Sequence, residues 1–253
     1  MTVNSFIYVE DTLVLCAGDS IFLQGGWQTN TGIYFDTVIA ATGCDTVMKK
    51  NLFVIPSAVF NNSMYYENFE TGPGYWFSGG PNSSWQFGVP SAPFINSAAN
   101  GIKAWVTNLT GSYNNNENSF LTSPCFDLSG FSTDPILRFS HIFEIENYYD
   151  SAWVEVSTNK GMSWTKLGIA GTGANWYNQD TINIWDGTSG PPGKWRMAEH
   201  VLTGTAGSNS VRIRFRFASD FVIVEEGLGV DNVYVGPPPP YDAGVRKIVQ
   251  PVS

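Results

Sequence analysis

Carboxylates are the side chains of this sequence best placed by type and spacing to do chemistry. Glu144, Glu146 and Asp150 lie close together, Glu225 and Glu226 are adjacent, and Glu67, Glu70 and Asp231 stand in the segments YYENFE and GVDNVYV. Two carboxyls flanking a glycosidic bond are what glycoside hydrolysis needs. Several oxygens around one point are what a hard cation needs. Glu144 and Glu146, two apart on a strand, share a face, which suits a solvated surface or a cation as well as an acid/base pair. Nucleophilic catalysis has less to work with. Only two histidines occur, His141 inside the apolar alternation LRFSHIFEIE and His200 in RMAEHVLTG. There is no Gly-x-Ser-x-Gly elbow and no His-Glu-x-x-His, so both read as structural histidines and no zinc peptidase centre is encoded.

The octet STNKGMSW, residues 157–164, needs separate treatment. Its Ser-x-Asn-x-Gly-x-Ser-Trp frame is close to the Asp-box known from sialidase propellers. A propeller repeats that box in several blades, whereas this chain carries it once. Asn159 tolerates turn geometry, Gly161 accepts positive φ, and Trp164 is able to pack across a turn. The octet therefore predicts a tight hairpin.

The elements that must position these residues are strands. Of 253 residues 15% are aromatic and only 14% charged, with 26 glycines and 14 prolines, and long runs at helical period are absent. That mixture predicts an all-β fold with many turns. A net charge of −9 argues against nucleic acid and against anionic lipid, both of which need clustered Lys and Arg. Neither a signal peptide nor an apolar run long enough to insert directly into a membrane is visible, and both ends look cut from a longer exported chain. Of the three cysteines, Cys16 and Cys44 are expected to pair, stabilising a short segment by about 3.5 kcal/mol. Two buried thiols are the alternative, and Cys125 is expected to be a buried thiol in a strand.

Two units separate. Residues 1–56 alternate short strands with Gly, Asn and Asp turns and form a small β-sandwich-like module, too short to bury a large core unaided. Residues 64–236 predict strands near 85–87, 103–106, 119–121, 136–144, 152–157, 163–167, 195–202, 211–218 and 230–235. Their spacing fits an antiparallel two-sheet jelly roll. Residues 237–253 read as a Pro-rich linker and the start of a further module. Loops 107–119 and 171–195 are long enough to be binding surfaces.

Two resemblances attach to these units. The pieces C-x-G-D-S-I-F-L, G-I-Y-F-D-T and G-C-D-T resemble a repeat of large secreted and surface proteins from Bacteroidetes-type bacteria. The series ENFETG, WQFGVP, AWVTNLTGSY, SFLTSPCFDLSG, PILRFSHIFEIE, VRIRFRFASD and GLGVDNVYV resembles the MAM-like jelly rolls, relatives of which follow the catalytic domains of immune-inhibitor-A-type metallopeptidases. The cysteine set of animal MAM domains is missing. The resemblance implies a non-catalytic module, because fold likeness does not transfer activity.

In jelly rolls the first and last strands often run side by side, which would bring Glu67 and Glu70 to Asp231. The resemblance implies a structural calcium there, with Asp150 a weaker fourth ligand. Separate edge carboxylates and a turn-forming Asp231–Asn232 are the alternative. Trp176, Tyr177, Trp185 and Trp195 in the long loop, with Tyr148 and Tyr149 in another turn, are expected either to form a ligand-binding surface or to cap the sandwich ends. The sequence as a whole predicts an adhesive or binding region of a large secreted or cell-surface bacterial protein. Its expected partners are surface glycans or proteins and other modules of the same chain. The alternative is an accessory domain of a secreted hydrolase, a peptidase, whose catalytic domain lies elsewhere.

Overall fold

The computed structural model describes residues 7–38, 46–55, 57–59 and 64–238. Among them there is no helix, and the fold is all-β. The strand Ile7–Cys16 pairs in parallel with Thr46–Ile55, which pairs antiparallel with Gly32–Val38. A short hairpin, Ile21–Leu23 with Gly26–Gln28, adds Leu23 to a small core with Leu15 and Leu52.

The larger part is an antiparallel two-sheet sandwich of jelly-roll type. One sheet centres on Ile136–Ile145 and Gly227–Gly236, flanked by Ala104–Thr107 and Trp85–Gly88 on one side and by Gly187–Thr188 and Arg196–Val201 on the other. The second sheet runs Thr165–Lys166, Ser151–Ser157, Arg212–Ala218, Asn118–Thr122, Phe77–Gly79. Period-2 alternation sets which face is buried. Ile213, Phe215 and Phe217 point inward at 0% exposure while Arg214 and Arg216 between them face out. Phe139, Leu137 and Phe143 meet them from the opposite sheet. Each such side chain withdraws enough apolar surface to contribute about 1.5–3 kcal/mol.

The two parts are tied together. Cys16 is disulfide-bonded to Cys125, with the Cα atoms 5.8 Å apart. This corrects the expected Cys16–Cys44 pairing. Ser57–Val59 pairs in parallel with Cys125–Asp127, which sets the Cys125 strand beside the chain that leaves the N-terminal sheet, within reach of Cys16. Cys44 and residues 239–253 of the expected linker and further module lie outside the described residues. Lys160 forms a salt bridge with Asp19, and Arg212 Nη1 donates to the Val14 carbonyl at 3.1 Å, adding polar contacts along the same seam.

The octet folds as a hairpin turn. Glu155 and Val156 pair with Lys166 and Thr165 across it. Asn159 Oδ1 accepts the Ser163 N–H at 2.9 Å, Asn159 Nδ2 donates to Ser163 Oγ at 2.7 Å, and Ser157 Oγ accepts the Gly161 N–H at 2.9 Å. Gly161 sits at φ +84°, where a side chain is strained.

Candidate functional site

The long loop does not present its aromatics to solvent. Trp176, Tyr177 and Trp185 are 1%, 6% and 1% exposed and pack against Phe139, His141 and His200. Trp185 exchanges backbone hydrogen bonds with Ala152, at 2.8 and 3.0 Å, so this part of the loop runs as a short extra strand over the open side of the sandwich. Trp195 is half-buried, its indole donating to the Ser97 carbonyl at 2.9 Å. Trp176, Tyr177 and Trp185 therefore do not form an exposed surface and lie as the capping alternative places them, while Trp195 is only partly covered. A sandwich edge that leaves Phe139 and His141 uncovered recruits the apolar rings of a nearby loop.

Exposed aromatics occur elsewhere, Trp27 and Tyr75 among them, and three gather at one end of the sandwich. Tyr148, Tyr149 and Phe221 are 77%, 69% and 71% exposed. They lie on two loops, 146–150 and 219–226, which one contact joins: the Asp220 N–H donates to Asp150 Oδ1 at 2.7 Å. Tyr113 Oη donates to Asp150 Oδ2 at 2.5 Å and accepts the Glu146 N–H at 3.2 Å, fixing the carboxylate in place. Tyr148 adopts φ +70°, and its N–H is held by Asp186 at 3.1 Å. A tyrosine in the left-handed region needs such a partner to persist.

Between these loops the carboxylates converge. Oxygens of Glu146, Asp150 and Asp220 all lie within 4.8 Å of one another. Oε2 of Glu146 is shielded from solvent and has no hydrogen-bond partner. Desolvation first, then the charges of Asp150, Asp220 and Glu225, push the Glu146 carboxyl above the ordinary carboxylate range. Desolvation, then Glu225 and Glu226, do the same to Glu144. Asp150 is also pushed up, mainly by burial. The two acidic clusters, far apart in sequence, thus belong to one end of the fold. With both oxygens of Asp150 taken by hydrogen-bond donors and its side chain buried, the trio does not offer a free pair of carboxyls to flank a scissile bond.

Glu70 and Asp231 form a different group. The strands Tyr65–Glu67 and Gly227–Gly236 pair, with Glu67 opposite Val233. A one-residue bulge against Arg138 and Ser140, with Asn232 at φ +51°, accompanies the position of Asp231. Asp231 Oδ2 accepts the N–H groups of Ala99 and Asn100 at 2.9 and 3.0 Å, while Glu70 Oε1 accepts those of Ile102 and Lys103 at 3.0 and 2.9 Å. Burial and, to a lesser degree, the Glu70 charge raise the Asp231 pKa to about 6, against these amides. Gly101 wraps so closely that a Cβ there would lie 2.2 Å from the Glu70 carboxyl carbon. Glu67 is engaged in its own turn, Oε1 accepting the Phe69 N–H at 2.7 Å. Asp150 belongs to the loop-end trio and not to this pair. Sequence reading missed Asp220 and Phe221; the segment ASDF, following an alternating strand, was the available signal.

The described residues thus form a disulfide-tied, helix-free sandwich with an acidic, tyrosine-rimmed loop end. No protein-family model matches the chain. It is 32% identical over 169 residues to Bacillopeptidase F of Bacillus subtilis (strain 168). That match covers 67% of this chain and 10% of the Bacillus protein, so the chain spans only about a tenth of its relative. Among solved structures it is similar to the K1 cleaved adhesin domain of Lys-gingipain from Porphyromonas gingivalis W83, at 16% identity and a TM-score of 0.42, covering 70% of this chain and 99% of that one. It is also similar to TmCBM61 in complex with β-1,4-galactotriose, at 14% identity and a TM-score of 0.41, covering 68% and 95%. Neither structural likeness carries a functional statement about this chain.

Proposed function

We propose that this chain is a non-catalytic binding region of a larger secreted or cell-surface protein, and that the loop end carrying Tyr148, Tyr149 and Phe221 takes a glycan. The observation that carries this reading is the juxtaposition of those exposed rings with the Glu146, Asp150 and Asp220 carboxylates. Aromatic faces stack on the apolar faces of sugar rings, and carboxylates accept from their hydroxyls. A protein ligand is the other partner this surface suits, since exposed tyrosines anchor interfaces. Disulfide bonding between Cys16 and Cys125 favours an oxidising, extracytoplasmic setting. The likeness to part of Bacillopeptidase F supports a place beside a peptidase domain as the alternative architecture.

Calcium is part of the proposal. Glu146 and Asp150, both with raised proton affinity, stand beside Asp220, and with one shielded, unpartnered oxygen on Glu146 they suit a hard cation that accepts six to eight oxygen ligands. The trio would supply ligands and the ion would neutralise their mutual repulsion, holding the loop of Tyr148 and Tyr149 in register with the loop of Phe221. Glu70 and Asp231 are a second, weaker position, because amide donors already occupy one oxygen of Glu70 and both of Asp231, and neither carboxylate carries a shielded, unpartnered oxygen like that of Glu146. Calorimetric titration with calcium, followed by a glycan array with and without the ion, tests both parts. The reading predicts binding lost on changing Tyr148 and Tyr149 together to Ala. An array with no hits, or hits indifferent to those changes, refutes glycan recognition; a melting temperature indifferent to calcium and chelator refutes the metal.

A further inference from the structure

The seam between the N-terminal sheet and the sandwich holds a pocket of about 350 Å³ in which the loop-end acids have no part. Leu13, Leu15 and Ile21 line it from one side, Phe77, Phe120 and Trp164 from the other. Set among these apolar walls is Arg212, only 4% exposed. Its Nη1 is used by the Val14 carbonyl, but Nε and Nη2 have no hydrogen-bond partner. The ring of Phe77, 5.5 Å from Cζ, offers only its π face.

Charge at the seam does not balance. Arg214 is paired with Glu155 at 2.6 Å, and Lys160 with Asp19. Asp19 also acts on Arg212 through space, yet no hydrogen bond joins them among the described residues. A buried guanidinium with two unmade donors is costly unless an anion meets it. The unused atoms are informative: Nε and Nη2 form the edge of the fork whose two parallel N–H groups match the oxygens of one carboxylate. A bare inorganic anion would satisfy that edge and leave the apolar walls wet.

We propose that the pocket binds a small carboxylate carrying an apolar body, with its hydrocarbon against Phe77, Phe120 and Trp164 and its oxygens on the Nε and Nη2 edge of Arg212, an edge shielded in this structure that turns toward the pocket to receive them. An apolar cleft with few, well-placed polar groups is the usual form of a small-molecule site. Val14 and Phe77 also line a second apolar pocket of about 600 Å³ with Trp76 and Trp105, so a longer hydrocarbon has further surface to cover.

The test is calorimetric titration of the whole chain with octanoate, dodecanoate, 1-octanol and acetate. Octanoate is expected to bind about tenfold or more tightly than 1-octanol, from the charge-assisted hydrogen bonds alone. Dodecanoate should bind tighter still, and acetate not measurably. R212M should bring octanoate down to the level of 1-octanol while leaving the alcohol unchanged. Because R212M also touches the seam, S20W provides a second check: Ser20 lines the pocket and is exposed, so a tryptophan there should block both ligands with Arg212 intact. Equal binding of acid and alcohol overturns the proposal, as does octanoate binding that survives R212M or S20W, or no octanoate binding at all. Binding confined to D19N would make Asp19 the resident anion of Arg212 and overturn it equally.

Discussion

The guanidinium of Arg214 lies 4.1 Å from the ring centroid of Trp164 while its Nε donates to Glu155 at 2.6 Å. The last residue of the octet is thereby tied to the middle of a neighbouring strand, and the hairpin is fastened to the outer face of the sheet. Asn159 organises the turn from inside. Asn159→Ala removes its bonds to Ser163 and Ser157 and should cost about 1–2 kcal/mol in urea denaturation, with binding at the loops of Tyr148 and Phe221 unchanged.

Replacing Cys125 by Ala releases the covalent tie between the units. The bond spans 109 residues of chain, so its loss should cost about 3–5 kcal/mol. Limited proteolysis should then cut first within residues 17–56, and intact mass after non-reducing digestion would show a Cys16-to-Cys125 linkage only in the parent protein.

His141 makes stability depend on acid. Full burial, and then the charge of Arg196, lower its pKa to about 3, and neither ring nitrogen has a partner. The unfolded chain takes up a proton near pH 6.5 that the folded chain refuses. The stabilisation is thus complete above about pH 6.5 and is lost as pH falls toward 3. Between pH 7 and 4.5 the site should lose about 2–3 kcal/mol, and His141→Leu should abolish that part of the slope in denaturation curves taken across the range.

At the loop end, Glu146→Gln removes one of three crowded negative charges. Without calcium the variant should melt higher than the parent at pH 7, and the rise in melting temperature on adding calcium should shrink or vanish. A variant that melts lower without calcium would mean the carboxylates do not repel there.

The two aromatic groups separate cleanly by stability. Trp185→Ala empties a site in the core and should cost about 3–5 kcal/mol. Tyr149→Ala, on an exposed ring, should stay within about 0.5 kcal/mol while reducing ligand binding.

Strand order and face were legible wherever alternation was strong. The stretch 136–144 reads as a strand from sequence and is Ile136–Ile145 in the structure; 211–218 is Arg212–Ala218. Short pieces such as Phe77–Gly79 and Tyr65–Glu67 carry too few residues for periodicity to register, and pairing with distant strands defines them. Trp176 and Trp185 misled because a Gly- and Asn-rich setting signals a loop but not which way its rings turn; the uncovered face of Phe139 and His141 decides that. Cys16 pairs across units for the same reason, since proximity in sequence is a weaker guide than the parallel register of Ser57–Val59 with Cys125–Asp127. Asp150 looked like a companion of Asp231, whereas its hydrogen bonds to Tyr113 and Asp220 place it with Glu146.

The Cys16–Cys125 bond also governs how the chain would carry a pull along its length. Tension entering before Cys16 and leaving after Cys125 crosses the sulfur bridge and never loads the segment between them. About 360–390 Å of contour, the extended length of the 109 bridged residues, stays locked at any force that leaves the bond intact. Under shear only the later strands of the sandwich can be drawn out.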